Sequence, residues 1–164
     1  MSDTIITNVA VYREVVDESY AAMRETMRNQ CRPKANGEPG FIKTFDPSSK
    51  SFKQAMICIV FAGMWLEAEL HIQLGWRRGK DVAKEADRTT WEEKLRILGV
   101  DDDELLEKVC EFRKSRKDLV HEKAFFSQDF LSAAQDNAEL AFRLVGLVEA
   151  VLKTRDFRSA TQSV

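Results

Sequence analysis

Cysteine and histidine are scarce in this chain, and their positions limit the chemistry it can support. There are three cysteines, Cys31, Cys58 and Cys110, and only two histidines. Widely spaced cysteines in an odd number, without a CxxC pair, argue against a disulfide framework or a zinc site and favour reduced thiols in a cytoplasmic protein. No histidine and carboxylate cluster has metal-ligand spacing either. We therefore expect no metal and no other cofactor.

Phosphate-binding glycine loops, a basic excess and long apolar runs are also missing. Without a glycine-rich loop, a nucleoside triphosphatase is a poor interpretation. The 25 basic residues are outnumbered by 27 acidic ones and the pI is about 5.8, which excludes a globally basic nucleic-acid binder but not a local basic patch. The longest apolar run, residues 55–66, is too short to span a bilayer, and residues 1–19 do not resemble a signal peptide. We expect no membrane role.

Helical periodicity dominates the rest of the chain, and all three prolines lie between residues 33 and 47. This pattern predicts an all-α domain in which a bundle of four to five helices over residues 51–155 follows an N-terminal helix over 1–31. A loop rich in proline and glycine over 32–50 separates them, and 156–164 form a tail. Thr90 and Glu93 predict a capping box, Gly99 a helix stop, and Asp101 with Glu104 the next helix start.

Two further expectations concern side chains on these helices. The last helix is predicted to present one broad apolar face, made of Phe130, Ala134, Leu140, Leu144, Leu147 and Val151. His71 and Trp76 lie near the end of the long central helix. His71, without ligand spacing, is interpreted as a packed or surface histidine, and Trp76 as a residue that packs the helix end.

An arginine interrupts the apolar stripe of the penultimate helix. Leu105, Val109 and Phe112 predict the next core-facing position at 116, which is Arg116. A guanidinium cannot escape burial by losing its proton, so it must meet a carboxylate, a pocket or a partner. Glu67 interrupts the stripe of the central helix in the same way. The spacing suggests a buried Glu67–Arg116 pair, and from spacing alone a polar specificity element is favoured over catalysis.

Other charged residues lie near this arginine. His121 follows five residues later but points about 140° away from Arg116 on a helical wheel. The two side chains could meet if Arg116 extends toward His121, if the helix breaks near residue 121, or if a second copy of the chain supplies the partner. Basic residues cluster at Arg77 and Arg78 and again at Arg113 and Lys114. They form either a phosphate-tracking patch or solvated helix faces.

At these residues the sequence resembles a family. "RKDLVH", from Arg116 to His121, matches the R-x4–6-H signature of HEPN domains (higher eukaryotes and prokaryotes nucleotide-binding). "FAGMWLEAEL" at 61–70 resembles the early core helix of that family, and "WEEKLRIL" at 91–98 resembles the short helix before the signature. The likeness covers roughly residues 50–155, and residues 1–49 have no assigned counterpart.

The resemblance implies a HEPN-like helical bundle that acts as a homodimer on RNA, with two signatures meeting in one composite cleft. Such domains include metal-independent endoribonucleases, common in toxin–antitoxin and antiviral defence systems, so a cognate antitoxin or defence partner is also implied. His121 would move protons between the ribose 2′-oxygen and the leaving 5′-oxygen, and Arg116 would hold the scissile phosphate. Glu67 would orient Arg116.

One position departs from the family pattern. The residue after the signature arginine is usually small and polar, most often asparagine, and here it is Lys117, followed by Asp118. Lysine can contact phosphate but cannot accept a hydrogen bond. Lys117 and Asp118 are therefore assigned supporting roles. A non-catalytic HEPN-like module that binds RNA or a protein partner is the alternative interpretation.

Overall fold

A computed structural model describes residues 7–44, 46–120 and 128–161 of the 164-residue chain. The described residues are mostly helical and form an all-α fold, as predicted. Their six α-helices are α1 (Val9–Asn29), α2 (Lys50–Arg78), α3 (Lys80–Glu85), α4 (Trp91–Ile97), α5 (Asp103–Val120) and α6 (Gln128–Thr161). A 3-10 turn, Ala86–Arg88, lies between α3 and α4.

Helix α2 is the centre of the fold, because α1, α3, α4, α5 and α6 all pack against it. Its buried residues include Cys58, Ile59, Leu66, Leu70 and Leu74. Apolar residues surround the helix as expected for a core helix. By length and composition alone α2 could also cross a membrane, and half of its most apolar 18-residue window is buried in this fold.

The loop over residues 32–50 contains short extended segments that the sequence analysis did not predict. Strands β1 (Cys31–Pro33) and β2 (Phe41–Lys43) form a two-stranded antiparallel pair in which Arg32 lies opposite Ile42. Gly37 and Gly40, both with positive φ, lie in the connection between the strands. Pro33 is compatible with a strand here because the pair has only edge strands.

The predicted capping box of α4 is confirmed. The Thr90 hydroxyl accepts a hydrogen bond from the Glu93 backbone N–H, and the Glu93 carboxylate accepts one from the Thr90 backbone N–H. Gly99, with φ of 83°, lies just beyond the helix as predicted. The cap of α5 differs by one position, since Asp102 rather than Asp101 accepts the hydrogen bond from the Leu105 backbone N–H.

Helix boundaries differ from prediction at three places. Helix α2 continues to Arg78, past the expected end near Gly75, and the polar segment after it forms the short helix α3. Helix α6 continues to Thr161, into the segment predicted to be a tail.

Trp76 is 67% exposed, so the expectation that it packs the helix end is wrong.

Candidate functional site

The arginine that interrupts the apolar stripe of α5 lies in the wall of a cavity. Leu105, Val109 and Phe112 are buried as predicted, Leu119 is buried too, and Arg116 is half-buried between them along the helix. The cavity has a volume of about 630 Å³. Its wall includes residues from α1, α2, α4 and α5 and from the 3-10 turn: Tyr12, Glu67, His71, Asp87, Trp91 and Arg116.

Gly63 provides the space for Arg116. A Cβ atom placed on Gly63 would lie 2.7 Å from Arg116 Cδ and 2.8 Å from Cζ, with Nε closer still. The arginine side chain therefore lies directly across the backbone of α2 at Gly63, where the helix has no side chain. Any larger residue at position 63 would require Arg116 to move.

The guanidinium of Arg116 also lies over an aromatic ring. Arg116 Cζ lies 5.9 Å from the centroid of the Trp91 ring, within the range of a cation–π interaction. The Trp91 ring also stacks on Phe112, with a centroid separation of 5.9 Å and an interplanar angle of 22°. Trp91 is buried, so little of its ring is exposed to solvent. Arg116 is thus positioned by the space at Gly63 and by its contact with the Trp91 ring.

The direct Glu67–Arg116 pair expected from the sequence is not formed. One oxygen of the Glu67 carboxylate accepts a hydrogen bond of 2.7 Å from Trp91 Nε1, and the other pairs with the ammonium of Lys94. Lys94 is 1% exposed and reaches Glu67 from α4 through the core. A buried ammonium needs a carboxylate more than a half-exposed guanidinium does, which explains why Lys94 takes it. Glu67 acts on Arg116 only through Trp91.

Arg116 therefore has an unusual electrostatic position. Its buried Nε has no hydrogen-bond partner among the described residues, and none of their carboxylates forms an ion pair with it. The acidic groups in the cavity wall have other partners: Glu67 is bonded to Lys94, and Asp87 Oδ1 lies 3.0 Å from His71 Nδ1. Within this part of the chain, the guanidinium remains free to receive an anion.

The nearby Arg113, unlike Arg116, is paired with a carboxylate. Its Nε and one terminal nitrogen donate to the Glu92 carboxylate at 3.0–3.2 Å. Burial raises the pKa of Glu92, but the hydrogen bonds from Arg113 and the attraction of its charge bring the pKa below the usual value. The same hydrogen bonds raise the pKa of Arg113. Arg113 links α5 to α4, and it does not line the Arg116 cavity.

The other predicted basic residues also lie away from the cavity. Arg77 donates to the Leu152 carbonyl at 2.7 Å and Arg78 donates to the Ile97 carbonyl at 3.0 Å, so they link the end of α2 to α6 and to the end of α4. Lys114 lines a separate groove on the outer side of α4 and α5. Lys117 and Asp118 are exposed. The predicted residues that share the cavity are Arg116 and Glu67.

Three groups at this site were missed or interpreted differently from the sequence. The sequence did not mark Lys94 as a site residue, because it is simply a lysine inside a short helix. Tyr12 belongs to the N-terminal helix, for which the family resemblance offered no counterpart. His71 was interpreted as an isolated histidine, because its partner Asp87 lies in a turn whose position is set by the fold. His121 lies outside the described residues. Among the described residues, no group of three histidine, cysteine or acidic side chains could hold a metal ion.

Comparisons of the chain with protein-family models, with curated proteins and with solved structures found no match.

Proposed function

We propose that this protein binds RNA through Arg116 and cleaves it as a metal-independent endoribonuclease of the HEPN type. The observation that carries the proposal is the state of Arg116: a guanidinium fixed by Gly63 and Trp91, beside a cavity of about 630 Å³, with no carboxylate bonded to it among the described residues. A planar guanidinium suits the non-bridging oxygens of a phosphodiester. The alternative role, half of a structural ion pair, loses support because Glu67 is bonded to Lys94 and Trp91 instead.

The chemistry proposed follows from the family resemblance. The ribose 2′-hydroxyl attacks the adjacent phosphorus, the bond from phosphorus to the 5′-oxygen breaks, and the products carry a 2′,3′-cyclic phosphate and a 5′-hydroxyl. Arg116 stabilises the negative charge on the non-bridging oxygens. His121 transfers a proton, a role that suits an imidazole near neutral pH. Because the nucleophile is the 2′-hydroxyl, the activity is specific for RNA.

The proposed assembly is a homodimer located in the cytoplasm. His121 lies outside the described residues, and the proposal assigns the histidine that acts with Arg116 to the second copy of the chain. The proposed biological setting is a toxin–antitoxin or antiviral defence system, in which a cognate partner neutralises the ribonuclease. Lys117 and Asp118, both exposed, would act at the border of the composite cleft.

The test is cleavage of a mixed-sequence labelled RNA by purified protein in EDTA, with the matching DNA as substrate control. We expect wild type to cleave RNA only and to leave cyclic phosphate ends. We expect Arg116→Ala and His121→Ala to lower the rate by about 100-fold or more. Arg143→Ala is the matched control, because Arg143 pairs with Glu139 on the exposed side of α6. It should cleave like wild type.

Three results would contradict the ribonuclease. They are an inactive folded wild type, activity that EDTA removes, and an Arg116→Ala variant as active as wild type. If wild type binds the RNA without cleaving it and Arg116→Ala does not bind, the non-catalytic HEPN-like module replaces the enzyme. Expression provides a second measurement, because a free ribonuclease should slow the growth of its host and His121→Ala should relieve that effect.

A further inference from the structure

A histidine and an aspartate form a pair in the wall of the Arg116 cavity. His71 Nδ1 lies 3.0 Å from Asp87 Oδ1, and each side chain is about half exposed. Both residues line the same cavity as Arg116. The pair joins two separate parts of the fold, since His71 belongs to α2 and Asp87 to the 3-10 turn after α3.

The spacing along α2 places His71 on the same side of that helix as Gly63, the residue against which Arg116 packs. Gly63, Glu67 and His71 are four residues apart, so they follow one helix face with a drift of about 40° per step and a total rise of about 12 Å. Side chains on a helix lean toward its N-terminus, which brings the His71 ring toward the level of Glu67 and Arg116. Substrate bound at Arg116 can therefore extend along this face to His71.

The pairing with Asp87 defines which ring nitrogen of His71 can accept a proton. An ionised carboxylate only accepts hydrogen bonds, so in the neutral ring Nδ1 carries the hydrogen that Asp87 accepts. The lone pair is then on Nε2. A base whose ring is oriented by a third group is a recurring arrangement in enzymes that activate hydroxyl nucleophiles. The titratable or charged groups that share the cavity with His71 are Tyr12, Glu67, Asp87 and Arg116, and Lys94 neutralises Glu67.

We propose that His71, oriented by Asp87, is a second proton-transfer residue at the Arg116 site. The inference rests on the proposed ribonuclease function. In the reaction, His71 Nε2 takes the proton of the 2′-hydroxyl as the bond from the 2′-oxygen to phosphorus forms. The bond from phosphorus to the 5′-oxygen breaks, and the 5′-oxygen takes its electron pair and a proton from the protonated ring of His121. Exchange with water then restores both rings.

The first test uses nuclear magnetic resonance and does not depend on cleavage. The chain has only two histidines, so a histidine-labelled protein gives two sets of ring signals, which His71→Gln assigns. Uridine 3′-monophosphate is the probe. We expect it to shift the His71 signals in wild type and to leave them unchanged in Arg116→Ala. His71 signals that do not move when the probe binds would overturn the inference.

The second test is kinetic. We expect His71→Gln to lower the rate of RNA cleavage by about 100-fold or more and to remove one limb of the dependence of rate on pH. We expect Asp87→Asn to lower the rate by a smaller factor, with Asp81→Asn, an exposed aspartate on α3, as the unaffected control. Added imidazole should restore part of the activity of His71→Ala, which a purely structural role would not allow.

The outcomes separate the two proposals. If wild type cleaves RNA and His71→Gln cleaves it equally well, the ribonuclease stands and the inference fails. If folded wild type cleaves no RNA, the proposed function fails and the proton-transfer role fails with it.

Discussion

Arg116 lies across Gly63, with its side chain against the backbone of α2 where any Cβ atom would displace it. This contact is the reason that a cation can occupy the apolar stripe of α5. The glycine leaves space beside the central helix for the arginine side chain, and the guanidinium also lies over the Trp91 ring. A substitution at position 63 should therefore alter the site without removing any charged residue.

We expect Gly63→Ala to abolish the Arg116-dependent activity while the protein remains folded. The new methyl group would displace the flexible end of Arg116, and alanine should favour the helix by up to about 1 kcal/mol relative to glycine. Gly75→Ala is the matched control on the same helix, because no atom lies within 4 Å of a Cβ placed there. Circular dichroism, thermal unfolding and RNA binding check the outcome. Unchanged RNA binding in Gly63→Ala would contradict the assigned role of Arg116.

The Glu67–Lys94 pair should respond unequally to removal of its two members. Glu67→Leu would leave a buried ammonium without its carboxylate, and we expect a loss of about 3–5 kcal/mol in the free energy of unfolding. Lys94→Met fills the buried site with an apolar chain, and the half-exposed Glu67 can turn to water, so we expect a loss of about 1 kcal/mol or less. Denaturant unfolding measures both.

A control for this comparison comes from the exposed Glu104–Lys108 pair on α5. We expect Lys108→Met to change the free energy of unfolding by less than about 0.5 kcal/mol. Equal losses for Glu67→Leu and Lys94→Met would show that the burial of Lys94 does not control the stability of this pair.

The helices of this fold follow from the sequence, and the buried face of α6 follows in part. Ala134 and Leu144 are buried as predicted, yet Leu147 is 45% exposed, while Ala138, Ala141 and Val148 are fully buried. Alanine contributes little to an apolar pattern, although its small side chain lets α6 approach α2 closely. Periodicity identified the helix and part of its buried face but misplaced Leu147 and missed the buried alanines, because close packing depends on side-chain size as well as hydrophobicity.

The candidate site, too, could be predicted only in part from the sequence. The stripe pattern identified Arg116 and Glu67 as exceptional, and both line one cavity. It could not show that Lys94 would take the carboxylate, because that depends on the distance between α2 and α4. The His71–Asp87 pair depends in a similar way on where the turn after α3 lies. Contacts between elements are fixed by tertiary packing, which residue spacing within one helix does not encode.

We expect Cys58 to be protected from thiol reagents in the folded protein. It is fully buried, and burial raises its pKa to about 12, so at pH 8 only about one thiol in ten thousand would be ionised. Cys31 and Cys110 are partly exposed and should react first. Labelling with a chromogenic disulfide, before and after denaturation, counts the thiols. Cys58→Ala should remove only the slow phase, and rapid labelling of all three thiols would contradict the packing of α2 described here.

The last prediction concerns pH and the Arg113–Glu92 bridge. Because the pKa of Glu92 is lowered on folding, its ionised form stabilises the folded protein above the unfolded value of about 4.5. This contribution is lost as the pH falls through the lower folded value. We expect Glu92→Gln to cost about 1–3 kcal/mol at pH 7, toward the lower end because Arg113 is 37% exposed and water screens the pair. The difference from wild type should shrink progressively below pH 4.5, as protonated Glu92 becomes similar to glutamine. Unfolding measured across acidic pH tests the sign, and a difference that grows in acid would contradict the lowered pKa of Glu92.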